Sequence, residues 1–256
     1  MKIGTTLDCL YKDRPDCVSL CSFPSLKARM MKVEGKPGMS PLERWTNRWD
    51  TGSLPWQRDH LFPLLAKHQD VILAGKQDAQ VYVPMSGKAP ELKWFYDKGH
   101  RVVGVEFVES AARGSLVDIG LPLEEAECPV LKCKIFQTPD KRFRIFVCNV
   151  LDFNKSCAGE MDIVWDIGAL SSIKESDRDR YVAVMKSLLA PNFSYGLWSV
   201  VYDGQISRVF CRSLPEAVIR KLFGEGIKVR LVDKNDPKTP DFCTSPVTGH
   251  LWHLTE

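Results

Sequence analysis

Gly87 and Glu106, nineteen positions apart, are the residues whose types and spacing best suit recognition of a nucleoside. Val81-Tyr82-Val83-Pro84 reads as a short buried strand, Gly87 falls in the turn after it, and Glu106 closes a second apolar run that begins at Val102. A glycine in such a turn lets a ligand approach the backbone, because no Cβ stands in the way. A carboxylate ending the next strand is placed to accept both hydroxyls of an adenosine ribose, as the acidic residue of dinucleotide-binding units does. The turn itself, Pro84-Met85-Ser86-Gly87-Lys88-Ala89, holds a single glycine. A pyrophosphate cradle uses a three-glycine loop, so NAD, FAD and nucleoside triphosphates are disfavoured. A nucleoside without phosphates remains, S-adenosylmethionine (SAM) being the obvious one. A carboxylate that ends a strand is as often a solvated surface residue.

Other reactive side chains are less informative. Trp45 and Trp49 stand four apart on one helical face, a spacing that serves core packing as well as a cover over a ligand. His250 and His253, three apart on a strand, point to opposite faces and make no metal pair. The nine cysteines are odd in number and scattered, which predicts free thiols rather than a disulfide framework. Cys17 and Cys21 have no histidine nearby to complete a zinc site.

The elements that must position these residues follow a strand–helix alternation. Ser40-Pro41-Leu42-Glu43 marks a helix start with a capping box, and a second helix is expected from about Asp59 to Leu73. Then come the strand at Val81, a helix from Ala89 to Lys98 closed by Gly99, and the strand ending at Glu106, together a βαβ unit. A helix at Val108–Val117 follows, then an antiparallel pair, Leu131–Phe136 with Phe143–Val147, and a strand at Asp162–Trp165. A helix at Asp177–Leu189, a strand at Tyr195–Val201, a helix at Pro215–Phe223 and strands at Lys228–Val232 and Leu251–Leu254 complete the set. The predicted fold class is α/β, a Rossmann-like open, mainly parallel sheet with helices on both faces.

With 256 residues, 44% of them apolar, the chain suits one large domain, expected over residues 39–256, after a poorly ordered extension at 1–38. That extension carries seven basic and four acidic side chains, the whole of the net +3, and the remainder is balanced at 28 of each sign. A neutral main domain gives no support to nucleic-acid binding. No apolar run is long enough to span a bilayer and no secretory leader is visible, so a soluble, cytoplasmic protein that works as a monomer is expected.

Residues Val83 to Phe95 (Val-Pro-Met-Ser-Gly-Lys-Ala-Pro-Glu-Leu-Lys-Trp-Phe), continued by Gly99 to Glu106, resemble the nucleotide-binding segment of the thiopurine S-methyltransferase family. Further matches follow in order: Trp45-x3-Trp49, Asp162-Ile163-Val164-Trp165-Asp166 with Gly168-Ala169-Leu170, Asp177-Arg178, Tyr202-Asp203 and Leu222-Phe223-Gly224. The resemblance runs from about Pro41 to the C-terminus. It implies a class I methyltransferase that uses SAM, leaves S-adenosylhomocysteine, and acts on a small-molecule thiol.

The resemblance also implies roles. The segment Trp45–Trp56 folds over cofactor and substrate, Met85 stands for the usual leucine against the cofactor, and Glu106 binds its ribose. Asn149 and Val150 flank the adenine, Trp56 faces the methyl acceptor, and Ile167 falls at a cofactor position where the family has arginine in its Trp-Asp-Arg-Gly-Ala-Leu motif. From the residues themselves, Asp166 is read as positioning the substrate or ending a strand, and Arg208, with Arg212, as restoring a positive charge at the acceptor or as solvated surface; no dedicated catalytic nucleophile and no metal are expected. The exchange to Ile167, and a loop after Asp203 that lacks the family's Gly-Pro-Pro run, put thiopurine turnover in doubt. Two alternatives stay open: the same fold serving another soft nucleophile such as thiocyanate, halide or a metalloid, or a catalytically silent SAM-binding protein.

Overall fold

A computed structural model describes residues 39–52, 54, 56–203, 211–236 and 246–256. The expectations for residues 1–38 and for Arg208 lie outside them. Among the described residues, nine strands form one sheet: β1 (Gln80–Pro84), β2 (Arg101–Glu106), β3 (Glu124–Glu127), β4 (Lys134–Gln137), β5 (Phe143–Val147), β6 (Met161–Ile167), β7 (Leu189–Val201), β8 (Lys228–Lys234) and β9 (Thr248–Thr255). Their spatial order is β3-β4-β5-β2-β1-β6-β7-β9-β8. The central five, β5-β2-β1-β6-β7, are parallel, whereas β9 runs antiparallel to both its neighbours and β3–β4 form an antiparallel edge.

The parallel strands are mostly apolar and buried because both sheet faces are covered. In β1, Val81 and Val83 face one core with Phe95, Ile163 and Trp165, while Tyr82 faces the other with Val103, Val164 and Tyr181. The helices are α1 (Pro41–Asp50), α2 (Pro63–Lys67), α3 (Gln69–Leu73), α4 (Pro90–Asp97), α5 (Glu109–Val117), α6 (Lys155–Ala158), α7 (Ala169–Ser172), α8 (Arg178–Leu188) and α9 (Glu216–Phe223). Among the described residues no helix is long and apolar enough to cross a membrane.

Chain order reverses at β1. From β1 the sheet grows through β2 to β5, then the chain returns to lay β6 on the other side of β1. The carboxyl ends of β1 and β6 therefore bound the crevice in which open α/β sheets bind ligands.

Three sequence expectations change. The helix expected from Asp59 to Leu73 is two short helices, because Pro63 can only open a helix and His68 leaves helical geometry at φ −115°, ψ 25°. The strand β3, Glu-Glu-Ala-Glu, was not foreseen: its composition carries no strand signal, and it exists by pairing with β4. The short helix α6 was likewise missed, although Asn154 caps it by accepting from Ser156 N.

Candidate active site

The turn after β1 is built to bring backbone to a ligand. Met85 and Gly87 both adopt the left-handed region, at φ 49° and 50°, which for Met85 is a strained conformation of the kind retained at functional sites. A Cβ on Gly87 would meet the Trp49 ring at 3.2 Å, so glycine admits both the backbone conformation and the close approach of that indole. Ser86 N donates to Val105 O at 2.9 Å, and Ser115 Oγ of α5 donates to Gly87 O at 2.5 Å, so the turn is held from both ends.

Glu106, at the end of β2, is 8% exposed. Its Oε2 accepts from Gly87 N at 2.9 Å and its Oε1 from Val108 N at 2.8 Å. Burial pushes its pKa up from the ordinary carboxylate value, and the backbone donors at Val108, Gly87 and Phe107 oppose that rise. Each oxygen keeps a lone pair for a further donor.

Glu106 opens into a cavity of about 410 Å³. One wall is α1. Ser40 accepts from Glu43 N and Ser40 N donates to Glu43 Oε2, the expected capping box. No residue of α1 is buried; its two tryptophans line the cavity. Trp45 meets Trp56 edge to face at 5.5 Å. The chain after Trp56 is strapped down: Gln57 Nε2 donates to Lys88 O at 2.8 Å, and the fully buried Glu91 accepts from Phe62 N at 2.9 Å and pairs with Arg58 at 3.2 Å.

The opposite walls come from the ends of β5, β6 and β7. Cys148, Asn149, Val150 and Leu151 follow β5, and Ile167, Gly168 and Ala169 lead from β6 into α7. Ile167 lies beside Trp198 in the β6–β7 register, and both face the cavity with Phe62, Ile173 and Cys211. Of the residues expected at the site, the structure brings Trp45, Trp49, Trp56, Met85, Gly87, Glu106, Asn149, Val150 and Ile167 around one space.

Asp166 is not among them. The carboxylate expected on the substrate is fully buried and accepts from Tyr181 Oη (2.8 Å), Tyr195 Oη (2.9 Å), Ala169 N (2.9 Å) and Leu170 N (3.2 Å). With those donors it anchors the start of α7 and two buried phenols, and it does not line the cavity.

Residues that the sequence reading missed include Ser86, Phe62, Cys148, Trp198 and Cys211. The rule that ligands sit at carboxyl ends of strands, applied to β7, would have found Trp198.

The family profile of thiopurine S-methyltransferase matches residues 40–250, most of the chain. The chain belongs to the thiopurine S-methyltransferase family. It is 35% identical to the thiopurine S-methyltransferase of Oryctolagus cuniculus over 196 residues, 76% of this chain and 80% of that one. Over 198 residues it is 33% identical to the Equus caballus enzyme, with the same shares covered. Among solved structures, the 1,6-didemethyltoxoflavin-N1-methyltransferase of Burkholderia thailandensis, with 1,6-didemethyltoxoflavin and S-adenosylhomocysteine bound, superposes with a TM-score of 0.56 at 16% identity. That superposition covers 95% of this chain and 93% of that one, and shows a shared fold.

The protein is thus a SAM-dependent methyltransferase, and its residues fit the cofactor. Glu106 has lone pairs to spare for ribose hydroxyls, Gly87 lines the cavity without a Cβ, and the buried Ser86 hydroxyl, on the cavity wall, has no protein partner. Among the described residues, the turn after β1 that borders the cavity holds a single glycine, unlike a pyrophosphate cradle.

Proposed function

We propose that this methyltransferase acts on a small, soft nucleophile, an aromatic or heterocyclic thiol being the leading class. The supporting observation is the character of the wall around Ile167. Phe62, Ile167, Ile173, Trp198 and Cys211 make an apolar acceptor end, and the charged residues lining the cavity among those described are Glu106 and Arg58, the latter paired with Glu91.

The bound SAM supplies an activated methyl group on a sulfonium. Glu106 and the Gly87 turn fix the nucleoside. Trp45, Trp49 and Trp56 cover it, exclude water and offer aromatic faces toward the cation. Among the described residues, the ionisable side chain on the acceptor wall is the Cys211 thiol, and burial raises its pKa away from any role as a base at neutral pH. An acceptor that enters as its thiolate, the nucleophilic form, needs no base from this wall.

A panel with radiolabelled SAM tests this: aromatic and heterocyclic thiols, thiocyanate, iodide and a trivalent arsenical. Turnover of the thiols, with kcat/KM rising through each acceptor's own thiol pKa, is the expected result. Preference for thiocyanate, iodide or the arsenical replaces the acceptor class, and tight SAM binding without any turnover replaces the enzyme by a sensor. A monomeric state and a cytoplasmic location belong to the same reading, and sedimentation velocity and cell fractionation test them.

A further inference from the structure

The cysteines scattered through the sequence meet in the fold. The β3–β4 register pairs Glu127 with Lys134, which sets Cys128 opposite Cys133 one step on. The β4–β5 register pairs Ile135 with Phe146, which continues to set Cys133 opposite Cys148. Three thiols so stand in a row across adjacent strands. Cys133, Cys148 and Cys157 pack against the core cluster that holds Cys128, on the same sheet face as Ile135 and Phe146.

The two neighbouring pairs differ in kind. Cys148 N donates to Glu106 O at 3.1 Å, so its backbone polar groups point to β2, away from β4. The carbonyl of Cys133 accepts from Cys128 N at 2.8 Å, toward β3. Continued two residues beyond the ladder, the β4–β5 register makes Cys133 and Cys148 a non-hydrogen-bonded pair, the narrow kind with Cα atoms about 4.5 Å apart in a regular sheet, and their side chains interact directly. That spacing lies within the ~4.4–6.8 Å that a disulfide spans. Cys128 and Cys133 form the wide kind.

We propose that Cys133 and Cys148 are a redox-modification site, a dithiol that a peroxide converts to a disulfide in competition with the cofactor. Cys133 attacks the peroxide oxygen and becomes a sulfenic acid, releasing one water. Cys148 then attacks that sulfur, the second water leaves, and the balance is two thiols plus one hydrogen peroxide to one disulfide plus two water. Cys133 goes first, because burial raises both thiols and raises Cys148 the further. A disulfide rather than a metal is the product, because among the described residues no three His, Cys, Asp or Glu side chains are arranged to hold an ion.

The link to the site is Cys148 itself, which lines the cavity beside Asn149 and Val150. A bridge draws its side chain toward β4 and fixes the chain that borders the nucleoside. Resting on the reading that this cavity holds SAM, the bound cofactor shields the pair, and a bridge that moves Cys148 disturbs the chain bordering the nucleoside and so weakens cofactor binding.

The test treats the reduced full chain with hydrogen peroxide, with and without saturating S-adenosylhomocysteine, blocks remaining thiols with N-ethylmaleimide and maps the peptides by mass spectrometry. Expected are a Cys133–Cys148 linked peptide, its formation slowed at least tenfold by the ligand, and a Kd at least tenfold weaker for the bridged protein. In Cys148→Ser, with an unchanged circular dichroism spectrum, Cys133 should stop as a sulfenic acid trapped by dimedone. Both cysteines recovered alkylated after treatment, or Cys133 bridged to Cys128, overturns the site. A bridge that forms at the same rate with ligand bound overturns the competition. If S-adenosylhomocysteine fails to bind at all by calorimetry, the cofactor reading fails, and the ligand-free arm still decides the bridge.

Discussion

Replacing Glu106 by glutamine isolates the contribution of one charge while keeping the side chain's size. The native carboxylate uses one lone pair of each oxygen on Gly87 N and Val108 N, leaving one on each for the two ribose hydroxyls. The amide of Glu106→Gln turns one of those oxygens into a donor, which loses one hydroxyl contact and faces a backbone N–H. A hydrogen bond to a charged group contributes about 1.5–3 kcal/mol, so affinity should fall about 10- to 150-fold at ~1.4 kcal/mol per decade.

Titration calorimetry with S-adenosylhomocysteine at neutral pH reads this directly, and a pH series adds a second signature. Burial raises the pKa of Glu106 above its usual 4.5, and the hydroxyls prefer the ionised form, so native binding should weaken as pH falls through that raised pKa, at higher pH than for an exposed glutamate. Stability has the opposite sign. The native state holds this proton more tightly than the unfolded chain, so the group's contribution is full below the unfolded pKa and is lost as pH rises through the folded one. Glu106→Gln should lack both dependences. Affinity within threefold of native, or the same pH slope in variant and native protein, would refute the role of Glu106.

Gly87→Ala places a Cβ 3.2 Å from the Trp49 ring at φ 50°, costing ~1–2 kcal/mol in backbone strain alone; ligand affinity should drop at least fivefold with a shift in tryptophan emission, and an unchanged spectrum and Kd would contradict the packing. Asp166→Ala orphans the hydroxyls of Tyr181 and Tyr195, which at ~1–3 kcal/mol per buried unsatisfied group predicts a loss of about 2–6 kcal/mol in urea unfolding. The acceptor KM should hold in the folded protein, and a large KM change with native stability would restore a substrate role. Ser40→Ala removes the capping box of α1, worth ~1 kcal/mol; cofactor Kd should rise severalfold through the loosened cover, and no change would show that α1 does not close on the ligand.

The gathering of the Gly87 turn and Glu106 at one end of the cavity was legible because it is encoded locally. A strand of apolar residues, a turn that needs glycine and a carboxylate at the end of the next strand are joined by one βαβ unit, whose geometry is the same wherever it occurs. The capped helix at Ser40 was legible for the same reason: all its hydrogen bonds lie within four residues. The helix expected from Asp59 to Leu73 failed where apolar spacing was read through Pro63, which forbids a helix interior.

What only the tertiary structure decided depends on register between distant strands. Asp166 looks the same in the sequence whether it meets a substrate or two phenols, and the packing of α8 and β7 against β6 assigned it to Tyr181 and Tyr195. The acceptor wall of Phe62, Ile167, Trp198 and Cys211 is drawn from four separate stretches. Cys128, Cys133 and Cys148 have no spacing that announces a row, and become one because two antiparallel registers happen to align them. In a sheet a one-residue slip sends every side chain to the other face, and that choice is made by pairing and by the burial of whole faces, neither of which is written in any single segment.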